Sequence, residues 1–387
     1  MDEILAAARL RQRVLLVGSG AAFGGTEQVF VDSARRLARA GWGVDAWVAP
    51  SRGADAVADA LREAGAGVER WPEVLSPGAS AARAVSALRE RAPRIVHLHL
   101  AWPHANAWFP VAAKLAGVPA VVTTEHILFP ERHRRDDLRK RFTRRFVDRA
   151  IAVSSAIGGA LIGQWGYRER QVRVIPNGVD IARFAGRDPR ARARAREHLR
   201  VPHDAILVGG VGRLEEQKGF VYLVRAAARL VKRHPRLRIA IAGTGSLASA
   251  LEAEARESGA GDALLLPGRV DAIPEFLAAL DLFVLPSLWE GMPLSLLEAM
   301  AMGVPVIASE TPGAAEILGA DGRAGILVGR ADDAAIAAAI ERIIGDPLLA
   351  SALGRYGFDL VRREHDLARL FPRLLGVYGE ALAAGVP

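Results

Sequence analysis

The stretch 282–309, LFVLPSLWEGMPLSLLEAMAMGVPVIAS, reads as strand, loop, helix, turn and strand. LFVLPS at 282–287 and VPVIAS at 304–309 are short aliphatic runs without polar alternation, the pattern of strands buried on both faces of a parallel sheet. Pro293 suits the first turn of a helix, because the N–H it lacks would be unpaired there anyway. Gly303 and Pro305 end that helix. Two carboxylates, Glu290 and Glu298, interrupt this apolar unit, one before the helix and one inside it.

The same alternation extends in both directions. Upstream lie VLLVG at 14–18, VDAWVA at 44–49, IVHLHL at 95–100, AVVTT at 120–124, AIAVS at 150–154 and VRVI at 172–175. ILVGGVG at 206–212, RIAIAG at 238–243 and LLLPG at 264–268 precede the quoted unit, and GILVG at 325–329 follows it. Segments of helical period, such as 26–40, 79–92, 219–233 and 333–344, separate them. The fold class is therefore α/β, with doubly wound parallel sheets. The pattern resets near 180–204, where an Arg/Ala-rich run at 187–200 reads as a linker helix before a fresh strand–turn–helix. A final helix carries Leu367, Leu370, Leu374, Leu375 and Tyr378 along one side.

A chain of 387 residues exceeds one ordinary core, in agreement with two domains. It has no cysteine, which excludes disulfides, thiolate metal sites and thiol nucleophiles. No run approaches the roughly 18 apolar residues of a membrane span. The start, MDEILAAARLRQRVLLVG, has acids ahead of a short apolar patch and no small-residue cleavage site, so a cytoplasmic protein is expected. A net charge of +8 invites phosphates or anionic surfaces as partners.

Ligands of open α/β sheets bind outside the carboxyl ends of strands, so the loops there carry the chemistry. After the first strand, GSGAAFGGTEQVF places Gly24 and Gly25 where a helix begins, either a close approach to an anion or a tight turn. VGRLEEQKGF at 211–220 sets Arg213 and Lys218 around a helix start, two cations suited to a diphosphate. GTGSLA at 243–248 fits G-x-G-x-x-A, but the next strand, ALLLPG, ends without the acid a dinucleotide site wants. It reads as a phosphate-friendly or structural turn. TTEHILFP at 123–130 puts His126 after a strand, able to hydrogen-bond a sugar hydroxyl or exchange protons. His97 and His99 alternate on one strand face, where packing is expected, and His104 lies nearby. No metal-ligand spacing and no D-x-D occurs, so no metal or cofactor is expected. Glu290 and Glu298 suit the vicinal hydroxyls of a ribose or hexose, and Glu298 reads as a buried carboxylate. The N–H groups of Leu294 and Ser295 at the helix start suit a phosphate.

Together EGMPLSLLE, GVGRLEEQKG, IPNGVD, LPGRV, GGTE and TEH resemble, in order, the retaining glycosyltransferases of family GT4 with the GT-B fold. The resemblance implies two Rossmann-like domains facing a central cleft. An acceptor-binding domain would span 1–185 and a nucleotide-sugar domain 186–363. A C-terminal helix at 364–387 would cross back to the first domain. It implies that Glu290 and Gly291 lie at the donor sugar, that Glu298 binds the ribose, and that Arg213 and Lys218 hold the diphosphate. Backbone at Met292, Leu294 and Ser295 would support sugar and β-phosphate, and Val270 would lie by the base. Gly24 and Gly25 would approach the phosphate, and His126 the reacting sugar. The implied reaction is metal-independent transfer of a hexose, with retention, from a UDP- or GDP-sugar to an acceptor in polysaccharide, lipid-linked oligosaccharide or glycolipid assembly.

The run 132–149, RHRRDDLRKRFTRRFVDR, carries nine Lys/Arg against three Asp, with Leu138, Phe142 and Phe146 at helical spacing. It reads either as an amphipathic helix with its apolar side inward, or as a surface for acceptor or anionic membrane formed by Arg134, Arg135, Arg139, Lys140, Phe142 and Arg145. The second reading places the protein peripherally on the inner face of a membrane. Nucleic acid is not expected, since no aromatic platform accompanies the charge. Two rivals stay open: a non-catalytic nucleotide-sugar binding module, and a sugar-nucleotide epimerase on the same scaffold.

Overall fold

The computed structural model describes residues 12–18, 23–50, 54–71, 78–101, 105–128, 134–184 and 189–384. The N-terminal stretch 1–11, residues 19–22 of the first glycine-rich loop, His104, 129–130 and 132–133 lie outside the described residues. The chain divides into two compact units, Met1–Pro176 with Leu370–Pro387, and Asn177–Arg369. The division falls upstream of the 185/186 boundary expected from the sequence.

In the first unit, β1 (Arg13–Gly18), β2 (Gly43–Val48), β3 (Gly67–Arg70), β4 (Ile95–Leu100), β5 (Ala120–Glu125), β6 (Arg149–Ala152) and β7 (Val172–Val174) form one sheet. Its order is β3-β2-β1-β4-β5-β6-β7, and every pairing is parallel. The apolar runs are continuous because successive residues serve two cores. Val14 and Leu16 pack with Phe30, Val31 and Leu37, while Leu15 and Val17 pack with Trp47, Val96 and Leu98. Each such buried side chain contributes about 1.5–3 kcal/mol. The edge strand β3, sequence GVER, has no apolar run, which is why periodicity did not announce it.

The second unit holds β8 (Ile206–Val211), β9 (Leu237–Ala242), β10 (Leu264–Gly268), β11 (Leu282–Leu285), β12 (Val306–Ser309) and β13 (Ile326–Val328). Their order is β10-β9-β8-β11-β12-β13, again parallel. In both sheets the winding reverses beside the first strand, between β1 and β4 and between β8 and β11. Loops leaving the carboxyl ends of those strands diverge there and leave a crevice for ligands.

The last helix, Leu367–Ala384, returns to the first unit. Val377, Tyr378 and Ala381 are buried in the core of β1, β2 and β4, and Glu380 pairs with Arg149 (3.0 Å) and Arg173 (2.7 Å).

The basic run at 187–200 is not a linker. Its described part forms the helix Pro189–His198 within the second unit, and Arg196 is buried. Arg192 and Arg196 pair with Asp281 at 2.6 and 2.7 Å. They also donate to the carbonyls of Ala278, Ala279 and Leu280, at the end of the helix Ile273–Ala279. The guanidinium forks supply the partners that a helix C-terminus lacks.

Candidate active site

The loops after β8 and β11, neighbours at the reversal of the second sheet, are joined residue by residue. The chain leaves β8 through Gly212 and Arg213, makes a short turn over Glu216–Lys218, and enters the helix Phe220–Leu230 through Gly219. Gly219 has φ +60°, and a Cβ there would stand 2.2 Å from the Pro286 carbonyl oxygen, so only glycine lets this turn close on the loop after β11. Gln217 fastens the two loops. Its Nε2 donates to the Trp289 carbonyl (3.0 Å), its Oε1 accepts from Arg213 (2.9 Å), and its carbonyl accepts from Leu288 N–H (2.8 Å).

This brings Lys218 and Glu290 together. Lys218 Nζ lies 2.5 Å from Glu290 Oε1, and Ser287 Oγ donates to the same oxygen at 2.8 Å. Arg213 is exposed next to them in the chain's course. Each of the two cations therefore already faces an oxygen of the protein, and neither position is buried so deeply that a ligand oxyanion is excluded.

The following turn is pinned from the start of the same unit. Asn177 donates its side-chain N–H to the Met292 carbonyl (2.8 Å) and its backbone N–H to Met292 Sδ (3.2 Å). Asn177 is the central residue of IPNGVD, and His365 Nδ1 contacts its carbonyl at 2.8 Å. The helix then runs Leu294–Ala301 with Pro293 at its N-cap, one position earlier than the sequence suggested, and no side chain caps its first N–H groups. Six of its eight residues are buried, and the two that are not are Ser295 and Glu298. Glu298 is thus half-exposed, not buried as read from its apolar neighbours; it shares one face with Ser295, three residues before it.

The G-x-G-x-x-A loop backs this site and does not form a separate one. A Cβ at Gly243 would come 1.8 Å from the Gly212 carbonyl oxygen. Leu214 N–H donates to the Thr244 carbonyl and Leu247 N–H to the Leu214 carbonyl, both at 2.9 Å. Ser246 donates to Glu215 from its backbone N–H (2.9 Å) and its hydroxyl (2.8 Å). The turn props the Arg213 loop from behind. Val270, half-exposed just past β10, lies on the far side of β9 from that loop.

In the first unit, Gly24 is the N-cap of the helix Gly25–Arg39, again without a side-chain cap. Along β4 and just past β5, His97, His99 and His126 are all buried. Burial alone lowers His126 to a pKa of about 3; burial, with the neighbouring histidines, lowers His97 to about 3 and puts His99 well below the ordinary range. His126 is therefore neutral near pH 7 and poorly matched to proton exchange there, which leaves hydrogen bonding as its chemistry.

The basic helix departs from the reading with its apolar side inward, and one residue of the expected basic surface, Lys140, lies elsewhere. It spans Arg134–Thr143 and continues into a single turn at Arg144–Phe146. Lys140 is not on the surface: its side chain is 4% exposed and its Nζ lies 2.6 Å from Glu125 Oε2, itself buried. Arg139 turns back to pair with Asp136. The apolar residues are not all inward either, since Leu138 is 66% and Phe142 43% exposed. The outer face is Arg134, Arg135, Leu138, Arg141, Phe142 and Arg145, at steps of one and three that follow one side of a helix. Among the described residues no helix is long and apolar enough to cross a membrane.

With this geometry in place, the sequence compares as follows. Residues 191–359 match the family Glycosyl transferases group 1, and residues 23–183 match Glycosyltransferase Family 4. The chain is 34% identical, over 61% of its length, to a D-inositol 3-phosphate glycosyltransferase of Acidothermus cellulolyticus. It is also 34% identical, over 52% of its length, to the UDP-Gal:alpha-D-GlcNAc-diphosphoundecaprenol alpha-1,3-galactosyltransferase of Escherichia coli. It spans 54% of the length of each of these relatives. The fold is that of Anabaena HepE, whose structure was solved with UDP-glucose: the TM-score is 0.82 at 22% identity, covering 96% of this chain and 99% of that one.

Proposed function

The chain belongs to the family 4 glycosyltransferases and has the GT-B fold, and from that premise we propose that it transfers a hexose, with retention, from a nucleoside-diphosphate sugar to an acceptor hydroxyl. The observation that carries the reading is the open face of the helix 294–301, where Ser295 and Glu298 escape burial beside uncapped N–H groups and the Lys218–Glu290 pair. A carboxylate there suits the ribose hydroxyls. The helix start, Leu294 and Ser295, suits a phosphate, and Arg213 and Lys218 add charge to the diphosphate. Once a diphosphate takes Lys218, Glu290 is released to accept from sugar hydroxyls, with Gly291 and Met292 lining the turn. Val270 stands by the base. Gly24, Gly25 and His126 are the substrate contacts of the first unit.

In the reaction the bond between the anomeric carbon and the leaving phosphate oxygen breaks while the acceptor oxygen bonds to that carbon from the same face. The acceptor proton passes to the leaving phosphate. Charge gathering on that phosphate is stabilised by Arg213, Lys218 and the helix N–H groups, preorganised donors that need no metal. The UDP-glucose bound by HepE and the UDP-Gal of the Escherichia coli relative favour a uridine donor. That relative's diphosphoundecaprenol acceptor favours a lipid-linked one. The outer face of the helix 134–143, guanidinium groups around Leu138 and Phe142, supports docking on an anionic membrane.

The test is calorimetric titration with UDP, GDP and ADP, with and without a chelator. One nucleotide is expected to bind whether or not metal is present, and Glu298→Ala to weaken it by about 1.5–3 kcal/mol. Full binding in Glu298→Ala, or binding abolished by the chelator, would overturn the assignment of these groups. For the membrane surface, flotation with phosphatidylglycerol vesicles is expected to fail in Leu138→Asp/Phe142→Asp; flotation equal to the parent protein would remove that surface from the proposal.

A further inference from the structure

The histidines along β4 and just past β5 are not equally satisfied. His97 is bonded at both nitrogens, Nδ1 to the Tyr378 hydroxyl (2.8 Å) and Nε2 to the Thr124 hydroxyl (2.7 Å). His99 is bonded at one. Its Nδ1 lies 3.2 Å from His126 Nε2, while its own Nε2 is buried with no partner among the described residues. The two ring planes are 20° apart and their centroids 5.4 Å apart. That centroid separation exceeds the nitrogen contact by about two ring radii, so the rings meet edge to edge, nearly coplanar, as an N–H···N hydrogen bond requires.

Burial keeps both rings neutral, so a single proton lies between them, and two arrangements exist. If His126 donates from Nε2, the proton of His99 sits on its Nε2, an N–H sealed in the interior with no acceptor. If His99 donates from Nδ1, its Nε2 is a bare lone pair and His126 carries its own proton on Nδ1. Orphaned buried N–H groups are rarer than under-satisfied acceptors. The tilted Phe30 ring, its centroid 5.1 Å from that of His99, adds apolar surroundings rather than an oxygen acceptor. The second arrangement is the one the cluster favours.

We infer that His99 is a positioning residue that locks His126 as its Nδ1–H tautomer, so that His126 meets a substrate oxygen as a hydrogen-bond donor and not as a base. The inference rests on the proposed role of His126 as a substrate contact. His97 supports it from the other side, since its ring packs 4.4 Å from that of His99 and is itself tied to the last helix through Tyr378.

The test is nitrogen-15 NMR of the histidine side chains in the full chain, assigned with His126→Gln. A protonated Nδ1 and a bare Nε2 on His126 are expected; a protonated Nε2 would overturn the tautomer. Turnover with the donor chosen by the nucleotide titration supplies the second reading. His99→Asn places an amide N–H where Nδ1 stands, and is expected to retain kcat. His99→Leu is expected to lose about tenfold in kcat, the range of one hydrogen bond, with nucleotide affinity unchanged. Equal kcat in Asn and Leu variants would overturn the positioning role. His126→Ala with parental kcat and KM would overturn the substrate contact itself while the NMR assignment stood.

Discussion

Each unit of the molecule contains a Lys–Glu pair at the carboxyl end of its sheet, and the two pairs differ in how far they are buried. Lys140 and Glu125 meet at 2.6 Å with side chains 4% and 2% exposed; Lys218 and Glu290 meet at 2.5 Å with 15% and 8% exposed. In the first pair, burial pushes the Glu125 carboxyl up and the Lys140 ammonium down, each against the pull of its partner. One carboxylate oxygen, Glu125 Oε1, has no hydrogen-bond partner among the described residues. Such a pair holds a helix to a strand. The second pair is shared with Ser287 and is the more exposed, and on the proposed function a ligand replaces one of its partners. On the proposed function, a modest difference in solvent access separates a structural ion pair from a recognition site.

The largest effect expected from breaking this comparison is on the buried side. Lys140→Ala strands the Glu125 charge and should destabilise the protein by about 3–5 kcal/mol, whereas Lys140→Met with Glu125→Gln should recover most of the loss. Urea unfolding of the three proteins checks this. A Lys140→Ala loss below about 1 kcal/mol would mean the pair behaves as a surface bridge.

The same truncation in the second unit should act on rate. Lys218→Ala is expected to lower kcat by about 100- to 1,000-fold, as for removal of one preorganised donor. Stability should fall less than in Lys140→Ala, because Glu290 keeps the Ser287 hydroxyl and this pair is the more exposed of the two. Steady-state kinetics beside a melting curve separates the two. A large stability loss with little change in rate would reverse the assignment of the pairs.

Acid extends the contrast to the neighbouring histidines. His97 and His126 have folded pKa values of about 3 against 6.5 when unfolded, and His99 is also depressed. Between those values the unfolded chain binds protons that the folded one refuses. Stability is therefore complete above pH 6.5 and declines as pH falls towards 3. Each histidine contributes a slope of up to about 1.4 kcal/mol per pH unit. Hydrogen-exchange protection factors over β4 and β5, taken relative to the intrinsic rate at each pH, should fall on acidification, less steeply in His97→Gln. An unchanged slope in that variant would show that His97 titrates normally.

How much of this could be read from the chain depended on distance along it. The strands were legible because parallel sheets demand unbroken aliphatic runs, and β3 was not because GVER at an edge needs none. Glu290, Glu298, Arg213 and Lys218 were legible because strand ends and a helix start bracket them. Lys140 was not. Its charge is that of Arg134 and Arg145, and its buried partner is Glu125, fifteen residues away on a strand. Leu138, Phe142 and Phe146 were legible in spacing but not in direction, since periodicity defines a face without saying what it faces. Asn177 and Gln217 were missed for a related reason. Asparagine before glycine signals a turn, and only the folded chain, 115 residues on, supplies the Met292 carbonyl that Asn177 holds.

Gln217 gives the smallest and sharpest break. It joins the two loops by contacts 4 and 72 residues away, one accepting from Arg213 and one donating to the Trp289 carbonyl. Gln217→Ala removes both and should weaken nucleotide binding about twofold to tenfold, the range of a neutral hydrogen bond. Gln217→Glu keeps an acceptor for Arg213 but sets a carboxylate against the Trp289 carbonyl. If the clamp matters through Arg213, the Glu variant binds nucleotide like the parent. If it matters by holding the Glu290 loop, the Glu variant is the worse of the two, because repulsion replaces a missing bond. Calorimetric titration of both variants decides between them, and parental affinity in both would mean that Gly219 and Asn177 fix the site without the clamp.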